Sequence, residues 1–493
     1  MPSPRLAGIL ASMVALGGCA TLPPAPTAQR GVPSDWSNGA AIRDAAATDE
    51  RWWERLGDSV VDQLVSRSLD DNPTLAEAVA RVDQARALLD NVRAARTPRI
   101  DVTGSGVYGQ QNLGTVGGVN AVTTTAASIS PSVSWELDLW GRVRGQIQAA
   151  QDRLTARSAD ARATRLAIVA QTATGVLNLR ACNYSLGIRA RDIASRRSEL
   201  KLAQTQLSFG AIAPVEVATA RTNLASAETD QIAQREQCAR ETDALVAVSG
   251  VDALAIRGLL PAPHMMDDRE PGASLDRSDQ APIIPAAPVI EPVVPAIVLL
   301  HQPSVVAAER EAAARWAEIT VAKGERLPRI DLVAILTGQW IRALGMSTSF
   351  TTWSVGPQVS GTVFDAGAGA ANVRNTAARY REAVATLQGA LRTSVREIED
   401  GLAAAQSAEQ RLVTSREAVE AARFSLTANE ARRRAGAISQ FELEEARRQY
   451  NRAQESAIAA ARDHANAWVE LVRASGNGFA LPDPLSAPSG TEQ

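Results

Sequence analysis

The chain has 493 residues, with 51 Lys and Arg against 54 Asp and Glu, for a formal net charge of −3. That balance leaves no basic footprint for nucleic acid, and the three histidines, His264, His301 and His464, stand in no metal-ligand spacing. Alanine dominates the apolar residues and aromatics make up only 4%, a composition for slender helix packing rather than a thick core around a pocket.

The N-terminus carries Arg5 and then a short apolar stretch, Leu6 to Leu16, too short to span a bilayer. It ends in Leu16-Gly17-Gly18-Cys19, which resembles the lipobox of bacterial lipoproteins. That resemblance implies a signal peptide over 1–18, acylation of Cys19, and, with Ala20 rather than Asp following, sorting to the outer membrane. Residues 19–59 then read as a lipid-anchored extended segment. No later stretch reads as a transmembrane helix: 281–300 is apolar but broken by prolines. If the chain crosses a membrane, it must do so as β-structure.

From residue 60 onward the chain is a tandem duplication. Asn72-Pro73 is echoed by Gln302-Pro303, and Pro98-Arg99-Ile100-Asp101 recurs as Pro328-Arg329-Ile330-Asp331. Asp138-Leu139-Trp140-Gly141 has a shortened counterpart in Asp365-Ala366-Gly367, Gly210-Ala211-Ile212 recurs as Gly436-Ala437-Ile438, and Ser249-Gly250 as Ser475-Gly476. Ordered matches of this kind mark two copies of one structural unit. The first repeat covers 60–260 and the second 303–478, joined by a Pro-rich connection over 261–302 and followed by a flexible tail over 479–493.

Each repeat is expected to run helix, strand, strand, long helix, turn, helix. In the first, good helix formers predict helices over 73–96, 142–208 and 213–248; in the second, over 303–326, 368–434 and 440–474. At ~1.5 Å per residue each long helix spans roughly 100 Å, too long for a globular domain and suited to a coiled-coil or barrel wall. Between the helices lie segments of period two. Ile129, Pro131, Val133, Trp135 and Leu137 alternate with Ser128, Ser130, Ser132, Ser134, Glu136 and Asp138; Trp353, Val355, Pro357, Val359 and Val363 alternate with Thr352, Ser354, Gln358, Ser360 and Thr362. Partner strands are expected near 99–110 and 329–340, joined to these by loops at 111–126 and 342–350, with Pro131 and Pro357 as bends. Strands of this pattern match a membrane β-barrel, lipid on one face and water on the other. Four strands cannot close, since such barrels begin at about eight, so closure calls for other subunits, three copies supplying about twelve strands.

Trp52-Trp53-Glu54-Arg55-Leu56-Gly57-Asp58 with Leu64 and Asn72-Pro73, and Trp135-Glu136-Leu137-Asp138-Leu139-Trp140-Gly141-Arg142, resemble the signatures of the TolC-like outer membrane factors, and among them the NodT-like efflux lipoproteins. The resemblance implies an α+β membrane protein: a homotrimer with a twelve-stranded β-barrel and a periplasmic α-barrel of long antiparallel helical hairpins. It makes 261–302 an equatorial connection. It further implies the exit duct of a tripartite efflux pump for drugs or other small solutes, partnered by a periplasmic membrane-fusion adaptor, an inner-membrane pump of the RND type and outer-membrane lipid. The family's gate lies at the hairpin turns, here around Gly210 and Gly436. Counting from the second glycine, Glu442 and Glu445 occupy the positions of the acidic pair of TolC-type channels, and three-fold symmetry would make each a carboxylate ring. Glu216 and Arg434 are further gate candidates. Lipoprotein members often place an aspartate nearer the turn, where this chain has Ile438 or Ser439.

Two cysteines remain after Cys19. With the first hairpin centred near Ala211, Cys182 and Cys238 each lie about 28 residues from the turn and should face each other across the helix pair. A periplasmic location permits a disulfide between them; two buried free thiols is the other reading. The competing class is a periplasmic coiled-coil structural or adaptor lipoprotein without a pore, which leaves the alternating strands and the duplication unexplained. No Ser/His/Asp or Cys/His arrangement, phosphate loop or metal cluster has support from context, so neither enzymatic activity nor a cofactor is expected.

Overall fold

The computed structural model describes residues 35–38, 51–115, 118–261, 284–288, 298–299 and 301–476. The expected signal peptide, Cys19, most of the 261–302 connection and the 479–493 tail lie outside the described residues. The described residues divide into two compact units, one within Ala80–Ser158 and Ala307–Gly389, the other within Gly31–Val79, Ala159–Val306 and Ala390–Gln493.

After a 3-10 turn at Trp52–Leu56 come α1 (Ser59–Asp71), α2 (Pro73–Ala94), β1 (Arg99–Thr115), β2 (Gly118–Glu136), α3 (Arg142–Ser208), α4 (Pro214–Ser249) and the short α5 (Ala253–Leu259). The second repeat supplies α6 (Pro303–Gly324), β3 (Arg329–Ala343), β4 (Met346–Ser360), α7 (Ala368–Arg434) and α8 (Gln440–Ser475). The duplication is kept to the residue in the helices: α2 and α6 have 22 residues each, α3 and α7 have 67, α4 and α8 have 36. The shared motifs explain why. Asn72 accepts from the Thr74 and Leu75 amides at 2.9 and 3.2 Å, and Gln302 accepts from Ser304 and Val305 at 2.7 and 3.2 Å, so both caps precede a proline in the first turn, where its missing N–H costs nothing. No described helix is long and apolar enough to cross a membrane.

In the first unit, α2 packs Leu89, with Val82, Ala85 and Val92, onto Val143, Ile147, Ala150 and Leu154 of α3. Alanines let α6 approach the same helix closely: Ala314 and Ala317 pack on Ala149, and a Cβ added to Gly145 would lie 3.0 Å from Val321 Cγ2. The four strands form one antiparallel sheet in the order β1-β2-β3-β4, so the two repeats meet at its centre.

In the second unit, Trp52, Trp53 and Leu56 are buried in a core with Val61, Leu64 and Val65 of α1, residues 166–182 of α3, Leu245 and Val248 of α4, and Trp468 and Val469 of α8. The Trp52 and Trp468 rings lie 5.6 Å apart. Asp58 caps α1 through the Val60 and Val61 amides and takes Arg180 at 2.8 Å. These packed residues correct the expectation that 19–59 stays extended to its end: the chain turns at 52–56 because three large apolar side chains there need a core.

The strand ends also differ from expectation. Residues 111–115, 118–126, 342–343 and 346–350 are strand rather than loop. Pairing runs unbroken from Arg99↔Ser134 to Thr115↔Gly118, and from Arg329↔Ser360 to Ala343↔Met346. The second hairpin turns on Leu344-Gly345, with φ of 54° and 78°, the left-handed pair that matches strand twist in a two-residue turn. Glycine, serine and threonine signalled loop locally, yet the ladder carries on until the tightest turn. At the other end β2 stops at Glu136 and β4 at Ser360, short of Asp138 and Val363, because the next carboxylates serve as caps: Asp138 accepts from the Val143 and Arg144 amides, Asp365 from Gly367 and Gly369. The prolines insert no extra residue. Pairing of β2 with β3 skips Ser130 and Pro131 and resumes in the same register at Ser132↔Ile335, as a missing amide requires.

Candidate functional site

The register sorts the sheet into two faces of opposite chemistry. Directly paired residues share a face. One face therefore holds Ile100, Val102 and Tyr108 of β1, Ile129, Val133 and Trp135 of β2, Ile330, Leu332, Leu336 and Trp340 of β3, and Trp353, Val355 and Val359 of β4. Many of these are open to solvent in the single chain: Ile100 is 71% exposed, Val355 64% and Trp353 76%. Apolar residues on one contiguous exposed face mark a surface made for another apolar medium. The opposite face carries Thr103, Ser105, Ser128, Ser130, Ser132, Thr337, Gln339, Thr352 and Ser354. Its hydroxyls bond across strands, Ser105 with Ser128 at 2.8 Å and Ser130 to Thr337 at 3.0 Å. Within the described chain β1 and β4 are both edges.

Aromatic side chains bracket the apolar face. Trp135 lies near the helix end of β2, its indole N–H donating to the Arg96 carbonyl at 2.9 Å. Trp340, opposite Ala127, sits eight residues along the same ladder, ~27 Å at the rise of a strand. Below Trp135 the chain turns polar. Arg142 and Arg329 both pair with Glu136, and the repeated Pro-Arg-Ile-Asp motif folds alike twice, Arg99 bonding Asp101 and Arg329 bonding Asp331. Trp140 Nε1 donates to the Pro328 carbonyl at 2.7 Å.

The hairpin turns of the second unit also repeat. Gly210 and Gly436 have φ of 70° and 74°, and each is followed by an amide that reaches back into the last helical turn: Ala211 to the Gln206 carbonyl and Ala437 to the Arg432 carbonyl, both at 2.9 Å. Left-handed glycine closes a helix this way without the Cβ clash. Pro214 then opens α4 with Glu216 exposed in its first turn. Ser439 opens α8 through a capping box: Ser439 N and Oγ donate to the Glu442 carboxylate at 2.7 and 3.0 Å, and the Glu442 amide donates to Ser439 Oγ. Those bonds, the backbone one foremost, hold the Glu442 carboxyl below the usual carboxylate range. Glu445 accepts from Arg448 Nε and Nη2 at 3.1 and 2.9 Å. Partial burial pushes its carboxyl up, and the bonds and charge of Arg448, with Gln449 and Arg452, outweigh that and lower it. Arg433 bonds Gln440 and the Ile438 carbonyl, and Arg434 the Glu430 carbonyl, so these cations hold neutral acceptors at the turn.

Two residues that sequence reasoning passed over, Arg448 and Glu199, tie α3 to α8. Arg448 also donates to Glu199 of α3 at 2.9 Å, with both side chains largely buried. Beside them Glu444 is wholly buried; Oε1 accepts from Gln440 and Arg447, and Oε2 has no hydrogen-bond partner among the described residues. Desolvation pushes its carboxyl up. On exposed-looking helices such charges read as solvated faces, and only the helix pairing reveals them. Within the first hairpin, Cys182 of α3 is joined to Cys238 of α4, their Cα atoms 5.6 Å apart.

Comparison with known proteins agrees with both parts. Residues 64–251 and 294–477, the two repeats, match the family described as Outer membrane efflux protein. Nodulation protein T of Rhizobium leguminosarum bv. viciae is 27% identical over 486 residues, 99% of this chain and 96% of its own length. Outer membrane protein OprJ of Pseudomonas aeruginosa is 27% identical over 480 residues, 96% of each. The CmeC outer membrane channel of Campylobacter jejuni shares the fold, with a TM-score of 0.77 at 20% identity over 92% of this chain and 93% of its own. A duplicated hairpin chain with a two-faced sheet, matched along both repeats, belongs to the outer membrane efflux protein family and has the fold of its TolC-like channels.

Proposed function

We propose that three copies of the chain close their sheets into one twelve-stranded barrel in the outer membrane, and that this trimer is the exit duct of a tripartite efflux pump. The observation that carries the reading is a sheet with an exposed apolar face and two unpaired edges. In hydrocarbon an unpaired edge leaves amides without partners, each costing several kcal/mol, so β1 and β4 must find strands of sister chains. The polar face then lines the lumen. Tilted at about 40°, the span from Trp135 to Trp340 rises roughly 21 Å, close to the ~25 Å apolar band between aromatic girdles of such barrels. Cys19 is acylated and anchors the N-terminus, and the hairpins extend into the periplasm toward a membrane-fusion adaptor and an inner-membrane pump of the RND type. At the hairpin ends Glu442 is exposed and held ionised, which suits a carboxylate ring that favours cations; Glu445, Glu216 and Arg434 complete the charged lining, passed by drugs or other small solutes. The chemistry is passage, with no catalytic step and no cofactor.

The test places one charge on each face at mid-height. Leu336→Lys puts an ammonium on the apolar face and should destabilise insertion by ~2–4 kcal/mol, whereas Thr352→Lys puts it on the polar face and should leave assembly intact. Heat-modifiable trimer on a gel, from purified outer membranes, reads both. Equal tolerance of the two substitutions, or a lipidated wild-type protein that is monomeric and soluble without detergent, would overturn the proposal.

A further inference from the structure

The polar face of the sheet is interrupted at one level. Val107 of β1 is paired with Ala126 of β2, and Ala126 with Ile341 of β3. One step along, on the same face, Phe350 of β4 lies opposite Gln339 and diagonal to Ile341. Val107 is 58% and Phe350 43% exposed, so these side chains stand out from the face rather than fill a core. Met346, opposite Ala343, continues the apolar stripe by one more step. Elsewhere this face is mostly hydroxyl, amide and charged groups, with Val122 of β2 apolar toward the β1–β2 turn. Below the stripe, its large apolar residues Val333 and Ile335 sit on β3 alone, opposite serines of β2. Only here among the described residues of this face do β1, β2 and β3 all contribute apolar atoms at one height, where β4 presents Thr348 between Phe350 and Met346. The height lies beside Trp340, toward the β3–β4 turn and away from the helices.

Given the barrel reading of the preceding section, on which this rests, we infer that Val107, Ala126, Ile341 and Phe350 form an apolar collar in the lumen near the outer mouth, and that it is a transient binding site for aromatic and amphipathic solutes. A solute leaving the water-filled duct sheds apolar hydration at the collar and regains it outside. Small hydrophilic ions gain nothing there, and a ring of apolar side chains disfavours the continuous water they need. The collar thus gives the duct a chemical preference of its own, for solutes with an apolar face, separate from the carboxylates at the hairpin ends.

Single channels in a planar bilayer test this, with tetraphenylphosphonium added to the outer-side chamber as the aromatic probe and tetramethylammonium as the hydrophilic one. The wild type should show brief current interruptions with the first probe and none with the second. The Val107→Thr, Ile341→Thr and Phe350→Thr triple variant keeps β-favouring residues throughout and should shorten the interruptions by roughly tenfold, the share of a buried aromatic contact. Ile335→Thr, on the same face outside the collar, should leave them unchanged. Interruptions of equal length in wild type and triple variant, or an equal shortening by Ile335→Thr, would overturn the collar while conduction itself upholds the channel. If only the triple variant fails to conduct, the single variant Val107→Thr, isosteric with the native residue, should still shorten the interruptions, and no change would overturn the collar. Absence of any conducting insertion by the wild type would bring down the channel reading and the collar with it.

Discussion

Replacing Arg448 by methionine should loosen the two hairpins from each other near their turns. The side chain is 8% exposed, and its guanidinium serves two carboxylates at once: Glu199 of α3 at 2.9 Å through Nη1, and Glu445 of its own helix through Nε and Nη2. It also lies over the Phe441 ring, 5.7 Å from the centroid. Methionine keeps much of the apolar stem and removes the charge, leaving Glu199, 13% exposed, without the cation it faces. Breaking a buried pair by removing one partner costs about 3–5 kcal/mol, and the lower end applies because both groups retain some exposure. A loss of ~3 kcal/mol in local opening free energy is roughly a hundredfold loss of amide protection. Hydrogen exchange followed by mass spectrometry over 195–205 and 443–452 measures it in the intact assembly. Adding Glu199→Gln to the methionine variant should restore most of the protection, since the stranded charge is gone. Arg448→Lys should behave closer to methionine than to wild type, because one ammonium cannot fork between two carboxylates. Protection within threefold of wild type in Arg448→Met, or no recovery in the double variant, would refute the idea that the pair holds the helices together.

Two further outcomes follow from the hairpins. The Cys182–Cys238 bond closes a segment with a sequence separation of 56, for which chain entropy gives ~4 kcal/mol; the double serine variant, and wild type under reductant, should both dissociate and unfold at lower temperature, and identical melting with and without reductant would contradict the role of the bond. Because Glu442 has a folded-state pKa below its unfolded one, its contribution is present above the ordinary carboxyl pKa and is lost as pH falls through the lowered value. Exchange of the 439–443 amides, corrected for intrinsic rate, should therefore accelerate on acidification in wild type and show a flatter pH response in Glu442→Gln.

Much of this architecture is written locally. The limits of α3 and α7 at 142–208 and 368–434 follow from chemistry within a few residues: Asp138 and Asp365 offer carboxylates to the first amides, and Gly210 and Gly436 adopt left-handed φ just beyond the last turn. Period-two alternation in 128–136 and 352–360 likewise assigns each side chain to a face before any partner strand is known, because a strand has only two faces. The facing cysteines follow from equal spacing about a turn. The hairpin lengths were hidden, since Gly, Ser and Thr favour loops and tolerate strands alike, and only the register with the neighbouring strand decides between them.

What the sequence determined by itself is therefore the set of elements, their duplication and the faces they present, all encoded in caps and periodicity that act over one or two turns of chain. The tertiary structure alone decided which distant groups meet: Trp52 against Trp468, Glu199 with Arg448, and Val107, Ala126 and Ile341 at one height of the sheet. Those meetings depend on how helix faces pack and on where strands align, choices settled by burial and pairing summed over whole elements rather than by the residues nearest in the chain.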